Sequence, residues 1–135
     1  MMNIFILEDD FIQQTRIESV VADILEEAKI PCNQLEVFAN PHKLFESIQE
    51  RGDHQLYFLD IEIGDEDRRG LELAADIRQK DPNAVIVFVT THSEFAPISF
   101  KYKVSALDFI DKAVDKQQFR DQIEECIRYT YEMMS

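Results

Sequence analysis

Apolar runs of strand length alternate with amphipathic stretches of helix length along the whole chain. Asn3 to Leu7 (NIFIL) is the first strand candidate, and Phe11 to Ala28 follows with Ile17, Val20, Val21, Ile24, Leu25 and Ala28 at helical spacing. Asp10 stands where a cap for that helix belongs. Leu35 to Phe38 is a weaker strand. Asn40-Pro41 then supplies a cap and a first-turn proline for a helix carrying Leu44, Phe45 and Ile48. Leu56 to Leu59 is the third strand and Gly70 to Lys80 the third helix, stopped by Asp81-Pro82. Ala84 to Val89 (AVIVFV) is the most hydrophobic run. Ser93 to Tyr102 reads as a short fourth helix with Pro97 tolerated in its first turn, where backbone N–H groups have no partner inside the helix. Ala106 to Ile110 and a long helix from Asp115 to about Met133 complete five β/α repeats.

Strict alternation of this kind predicts a parallel sheet with helices on both faces, because parallel strands need right-handed crossovers. Unbroken apolar strands such as AVIVFV fit burial on both sides. The expected fold class is therefore α/β and flavodoxin-like, a (βα)5 unit over residues 1–135, with strand order 2-1-3-4-5 taken from the statistics of such folds. That order sets strands one and three side by side at the switch point, where sites form beyond the carboxyl ends of the strands.

Composition narrows the functions such a fold can serve. One domain is expected from 135 residues, and 45% apolar residues with ten phenylalanines supply its core. The net charge of -13, from 27 acidic and 14 basic residues, disfavours an electrostatic grip on DNA or an anionic membrane by this segment. No run approaches the roughly 18 apolar residues that would span a bilayer, and the opening MMNIFILEDD lacks a basic region followed by a long apolar one. A cytoplasmic location is the expectation. Cys32 and Cys126 form no CxxC pair and read as free thiols in a reducing compartment.

The chemistry concentrates at strand ends. In QLYFLDIEIGDEDRRG, residues 55–70, an apolar run stops on Asp60 and passes into charge. With strands one and three adjacent, Glu8, Asp9 and Asp10 converge on Asp60. Clustered carboxylates repel one another, and a divalent cation removes that cost. Mg²⁺ fits best, since it takes oxygen ligands, is held by one or two carboxylates and still accepts a phosphate oxygen. Thr90-Thr91 ends the fourth strand with hydroxyls, and Lys112 follows the fifth. A cation site with one hydroxyl and one ammonium around a protruding aspartate is what phosphoryl transfer to a carboxylate requires.

The motifs LEDD, FLDIEI, VFVTTHSE and ALDFIDK, in this order and spacing, resemble the receiver domain of two-component response regulators over essentially the whole chain. YFLDIEI, IVFVTTHSEFA and KYKVSALDFIDK are similar to the AgrA/ComE type, with wording nearest its competence regulator. This type controls quorum-sensing programmes such as competence and bacteriocin production in Gram-positive bacteria. The resemblance implies Asp60 as phosphoacceptor, Glu8 and Asp9 as the acidic pair for Mg²⁺, and the backbone carbonyl of Glu62 as a further ligand. It implies Thr90 as the switch hydroxyl, Lys112 as the lysine that pairs with a phosphoryl oxygen, and Asp10 as a helix cap. Phe109 takes the place of the aromatic switch, but without a phenol it can only repack. A sensor histidine kinase is the implied donor and a phosphorylation-linked homodimer the implied assembly. DNA binding is expected only of a C-terminal LytTR domain that these residues do not contain. The domain is read as a phosphoacceptor, not an enzyme.

Two departures from the family pattern touch the pocket. EIGDEDRR has no proline, and Gly70 lies ten residues past Asp60 where most receivers place a glycine at eight. Ala113 follows Lys112 where many receivers have proline in a cis peptide. A cis bond before alanine would cost about 2.5 to 4 kcal/mol, so trans is expected.

Plainer readings stay open beside these. Glu8, Asp9 and Asp10 could form a solvated turn, and Lys112 and Thr90 could be ordinary surface residues. His92 could tune water access to a phosphoryl group or be a loop histidine. His42 and His54 read as surface groups. Phe95, Phe100 and Tyr102 serve either a partner-facing patch or the core. GDEDRR reads as solvated loop, with partner contact as the alternative. An FMN-binding flavodoxin would need phosphate-cradling hydroxyls where Glu8-Asp9-Asp10 stand. An aspartate-nucleophile phosphatase would show DxD after the first strand, and this chain has ExD. A degenerate receiver acting only as a docking or dimerisation module is the remaining alternative.

Overall fold

The computed structural model describes residues 1–64 and 68–134. Five parallel strands, β1 (Met2–Leu7), β2 (Cys32–Phe38), β3 (Gln55–Leu59), β4 (Val85–Thr90) and β5 (Asp108–Asp111), form one sheet in the order β2-β1-β3-β4-β5. Helices α1 (Phe11–Glu27), α2 (Pro41–Ser47), α3 (Arg69–Lys80), α4 (Ala96–Ser99) and α5 (Lys116–Met133) alternate with them. The flavodoxin-like expectation, strand order included, is the observed fold.

Each central strand divides its side chains between two cores. Ile4, Ile6, Leu56, Phe58, Val85, Val87 and Val89 face one side with Ile17, Val21 and Ile24 of α1 and Phe119, Ile123 and Ile127 of α5. Phe5, Leu7, Tyr57, Leu59, Ile86 and Phe88 face the other with Leu44, Leu71, Ala74 and Ile77 of α2 and α3. This period of two explains why the central strands read as unbroken apolar runs. β2 is only partly buried, as an edge strand should be.

Several boundaries differ from the sequence reading. β2 begins at Cys32 rather than Leu35, because pairing with β1 extends to Gln34 and Cys32, with the register shifting past Asn33 between them. α2 ends at Ser47, and Ile48 is its extended cap, not a helical residue. β4 runs to Thr90, so that residue is held in the ladder, and β5 spans Asp108–Asp111 instead of Ala106 to Ile110.

The fourth helix departs most. The span from Ser93 to Tyr102 is a single α turn between two 3-10 turns, Ser93–Phe95 and Phe100–Tyr102. Pro97 lies in its first turn, the Ser99 hydroxyl donates back to the carbonyl of Ala96, and Lys103 ends it in the left-handed region at φ 55°. Phe100 is 83% exposed, while Phe95 and Tyr102 pack against the second core.

Candidate functional site

Strand pairing brings the acidic residues together. Leu7 lies opposite Leu59 in the β1·β3 ladder, so Glu8 and Asp60 are the next residues out on neighbouring strands. The ladder continues one step beyond them, with Asp60 N–H donating to the carbonyl of Leu7 at 3.1 Å and Glu8 N–H to that of Phe38 at 2.9 Å. Glu8, Asp9 and Asp60 each offer a carboxylate oxygen, and these atoms lie within 4.8 Å of one another. Asp10 caps α1 by accepting from the N–H of Gln13, as its position in sequence predicts.

Burial makes the cluster electrostatically demanding. Glu8 is 1% and Asp60 7% exposed, whereas Asp9 is exposed. The Lys112 ammonium, itself 9% exposed, pairs with Glu8 Oε1 and donates to Asp60 Oδ2 at 2.7 Å. Burial pushes the Glu8 carboxyl above its ordinary value against the pull of Lys112. Burial also opposes the charge on Lys112, but its bonds to Asp60 and Glu8 win and hold its pKa above the usual lysine value.

One oxygen is left over. Asp60 Oδ1 is buried and has no hydrogen-bond partner, at the tip of β3 and among the carboxylates of Glu8 and Asp9. A buried carboxylate oxygen in that state is costly unless something electropositive reaches it. The donor set is all oxygen, which suits Mg²⁺ or another hard divalent cation, so the residues present fit such an ion. The Glu62 side chain pairs with His92 Nε2 at 3.1 Å.

Surrounding residues fix the walls. Thr90 is 1% exposed, and its Oγ1 accepts from the backbone N–H of His92 at 3.1 Å, leaving the hydroxyl proton to donate elsewhere. The His92 ring bridges Glu62 and Glu94, and its bond to Glu94 with the carboxylate of Glu62 nearby favours the charged ring. Phe109 is half-buried and packs on Phe88 with ring centres 4.8 Å apart. Asp9 accepts from Gly64 N–H at 2.7 Å, which ties the loop after β3 to the loop after β1.

Gly70 explains its own identity. Its N–H donates to the Ile61 carbonyl at 2.6 Å, and a Cβ there would collide with the carbonyl oxygen of Asp60 and lie 2.7 Å from Ile61 Cα. The glycine lets α3 start against the backbone of the central aspartate. No cis peptide bond occurs among the described residues, so Lys112-Ala113 is trans as expected. Of the acidic run 64–69, residues Asp65, Glu66 and Asp67 lie outside the described residues, and its reading as solvated loop falls on them.

Two residues that the sequence did not single out touch the backbone of the site. Gln14 Nε2 donates to the carbonyl of Glu8 at 2.6 Å, and Arg16 Nη1 to that of Lys112 at 2.8 Å. Both lie in α1, where their spacing says only that they are polar residues of an amphipathic helix. The plainer reading of His54 needs a small amendment, since its ring pairs with Glu50 at 3.2 Å and is partly covered. His42 is exposed, and both cysteines are free thiols.

Comparison with known proteins places the chain in a family. The family model for the response regulator receiver domain matches residues 4–124, and the chain belongs to that family. It is 36% identical over 126 residues to accessory gene regulator protein A of Staphylococcus epidermidis, and equally so to that of Staphylococcus aureus. Each alignment covers 93% of this chain and 52% of the relative, so the chain spans about half the length of the curated relatives it matches. Among solved structures, the response regulatory domain of mrkE from Klebsiella pneumoniae superposes with a TM-score of 0.72 at 23% identity, covering 97% of this chain and 98% of that one. The response regulator TrrA from Thermotoga maritima, solved in complex with Mg²⁺-BeF, gives 0.62 at 22% identity, covering 93% and 99%. These two likenesses speak for the fold. Among the described residues, no helix is long and apolar enough to cross a membrane.

Proposed function

We propose that this domain receives a phosphoryl group on Asp60 from a sensor histidine kinase and thereby switches an AgrA-like regulator of quorum-sensing genes, such as those for competence or bacteriocins. The observation that carries the proposal is the buried, unpartnered Oδ1 of Asp60, with Oδ2 held by Lys112 and the carboxylates of Glu8 and Asp9 beside it. Mg²⁺ would be held by Glu8, Asp9, Asp60 and the backbone carbonyl of Glu62, and bound there it would neutralise charge on the phosphoryl oxygens.

The chain's own groups have separable parts in the transfer. Lys112 fixes Asp60 through Oδ2, which leaves Oδ1 to attack phosphorus. As the new O–P bond forms, the P–N bond to the donor imidazole breaks, and that nitrogen keeps the electron pair and later takes a proton. The added charge and acceptor oxygens draw the Lys112 ammonium and the Thr90 hydroxyl. Thr90 Oγ1 already accepts from His92 N–H, so the loop after β4 follows it, and Phe109 repacks against Phe88. A homodimer linked to phosphorylation is the proposed output within this domain, and a LytTR domain in the longer protein the proposed route to DNA.

Intact-mass measurement after incubation with acetyl phosphate and Mg²⁺, followed by mapping of the added mass, tests the assignment. One phosphoryl group on Asp60 is expected, with Asp60→Asn folded but unlabelled. Full labelling of Asp60→Asn would remove Asp60 as the acceptor, and unlabelled wild-type protein would leave the reading as a docking module.

A further inference from the structure

If Lys112 steers the acceptor carboxylate, as proposed above, whatever fixes its backbone bears on the transfer. Lys112 is the first residue after β5, and its N–H donates to the carbonyl of Thr90 at 3.1 Å. The next residue is Ala113, so no pyrrolidine ring restricts the chain as it turns towards α5. The Lys112 carbonyl is instead gripped from outside the loop, by Arg16 Nη1 at 2.8 Å. The same guanidinium lies over the ring of buried Phe119, 3.8 Å from its centre, and donates to Gln13 Oε1.

We infer that Arg16 is a positioning residue for phosphoryl transfer: wedged between Phe119 and the Lys112 carbonyl, it sets the direction in which the Lys112 ammonium reaches Asp60 and Glu8. It touches neither carboxylate of that pair and acts only through Lys112. A simple tie between α1 and α5 does not require it, because Arg120 already joins the two helices through Asp23 and Glu27 at 2.8 and 2.6 Å. What Arg16 adds is a charge-assisted bond to one particular carbonyl, held by a flat cation that also stacks on an aromatic ring. Lysine can supply the charge but not that two-sided fit.

The test uses the 135-residue chain with acetyl phosphate at saturating Mg²⁺. Arg16→Ala should lower the initial rate of phosphoryl incorporation about tenfold, the loss expected when a reacting group is displaced by less than a bond length. Arg16→Lys should fall nearer to Arg16→Ala than to the wild type. In a Lys112→Ala background the same change should cost less than about twofold, because two residues acting through one contact are not additive. In metal-free protein the amide resonance of Ala113, next to the gripped carbonyl, should shift in Arg16→Ala while that of Gly64 stays. A wild-type rate in Arg16→Ala, or an equal loss on both backgrounds, overturns the inference. Failure of wild-type protein to take up a phosphoryl group would sink the reading of the site instead, and the Ala113 resonance would still decide whether Arg16 holds the loop.

Discussion

The two ends of β1 and β3 solve the same problem in opposite ways. At the amino ends, Asn3 lies opposite Gln55 in the ladder, and both are buried. Their amides bond each other at 3.3 Å, Asn33 donates to Asn3 Oδ1 at 3.0 Å, and Asn3 Nδ2 reaches Glu50 Oε2 at 3.3 Å. At the carboxyl ends, the equally adjacent Glu8 and Asp60 are carboxylates that cannot donate to each other, and both depend on Lys112. Neutral amides carry donors and acceptors, so they satisfy one another and give a spare donor to Glu50, whereas carboxylates carry acceptors alone and leave Asp60 Oδ1 open. A sheet end built of amides is finished by folding. One built of carboxylates keeps an acceptor open after folding.

Removing the shared cation should therefore have the largest effect. Lys112→Ala leaves two buried carboxylates without a counter-charge, which costs about 3 to 5 kcal/mol when a buried pair is broken from one side. Urea unfolding in the presence of chelator should reveal that loss, and added Mg²⁺ should restore more stability to Lys112→Ala than to the wild type, because binding then relieves more repulsion. Equal stability of the two proteins in chelator would mean that the carboxylates do not need the lysine, and the contrast between the two ends would disappear.

The amide end should respond more weakly. Asn3→Ala removes the partner of Gln55 and of Asn33 but leaves no charge unpaired, so a loss of about 1 to 2 kcal/mol is expected. Phosphoryl incorporation from acetyl phosphate should not change, since the whole length of β1 separates this network from Asp60. A reduced incorporation rate in a fully folded Asn3→Ala protein would show that the two ends are coupled through the strands.

How much of this could be read from the chain follows the same division. The fold was legible because burial on both faces of a parallel sheet writes unbroken apolar runs, and Asp10, Asn40-Pro41 and Asp81-Pro82 punctuate them chemically. The carboxylates were legible because Glu8, Asp9 and Asp60 follow directly from strands whose neighbours the topology dictates. The break in the fourth helix was not, since the local pattern of Phe95, Ile98 and Tyr102 suits a continuous helix, and all three still pack against the second core across the 3-10 and α turns. The stop of α1 was legible to within a residue, since the helical spacing runs to Ala28 and Ala28 caps the helix, although Lys29 then adopts φ 54° with no glycine to announce it. Arg16 and Gln14 were silent for a different reason. Their partners are backbone carbonyls, which every residue has, so no side-chain pattern marks them.

The finest distinction between the two ends lies in how their glutamates titrate. Burial raises Glu8 above the ordinary 4.5 against the opposing pull of Lys112, while the bond from His54, with help from Asn3, lowers Glu50 below the same value. The consequences for stability have opposite signs. For Glu8 the contribution is full below pH 4.5 and is lost as pH rises through its folded value, because the folded state then gives up a proton it held more tightly than the unfolded chain. For Glu50 the contribution is present above pH 4.5 and is lost as pH falls through its folded value. Carboxyl ¹³C resonances followed by NMR in chelator should accordingly titrate on opposite sides of 4.5. Lys112→Ala should push Glu8 higher still without moving Glu50, and Asn3→Ala should bring Glu50 back towards 4.5 without moving Glu8. If both glutamates titrated together near 4.5, burial and pairing would be offsetting each other equally at the two ends, and the carboxyl end would have no greater need of a cation than the amino end.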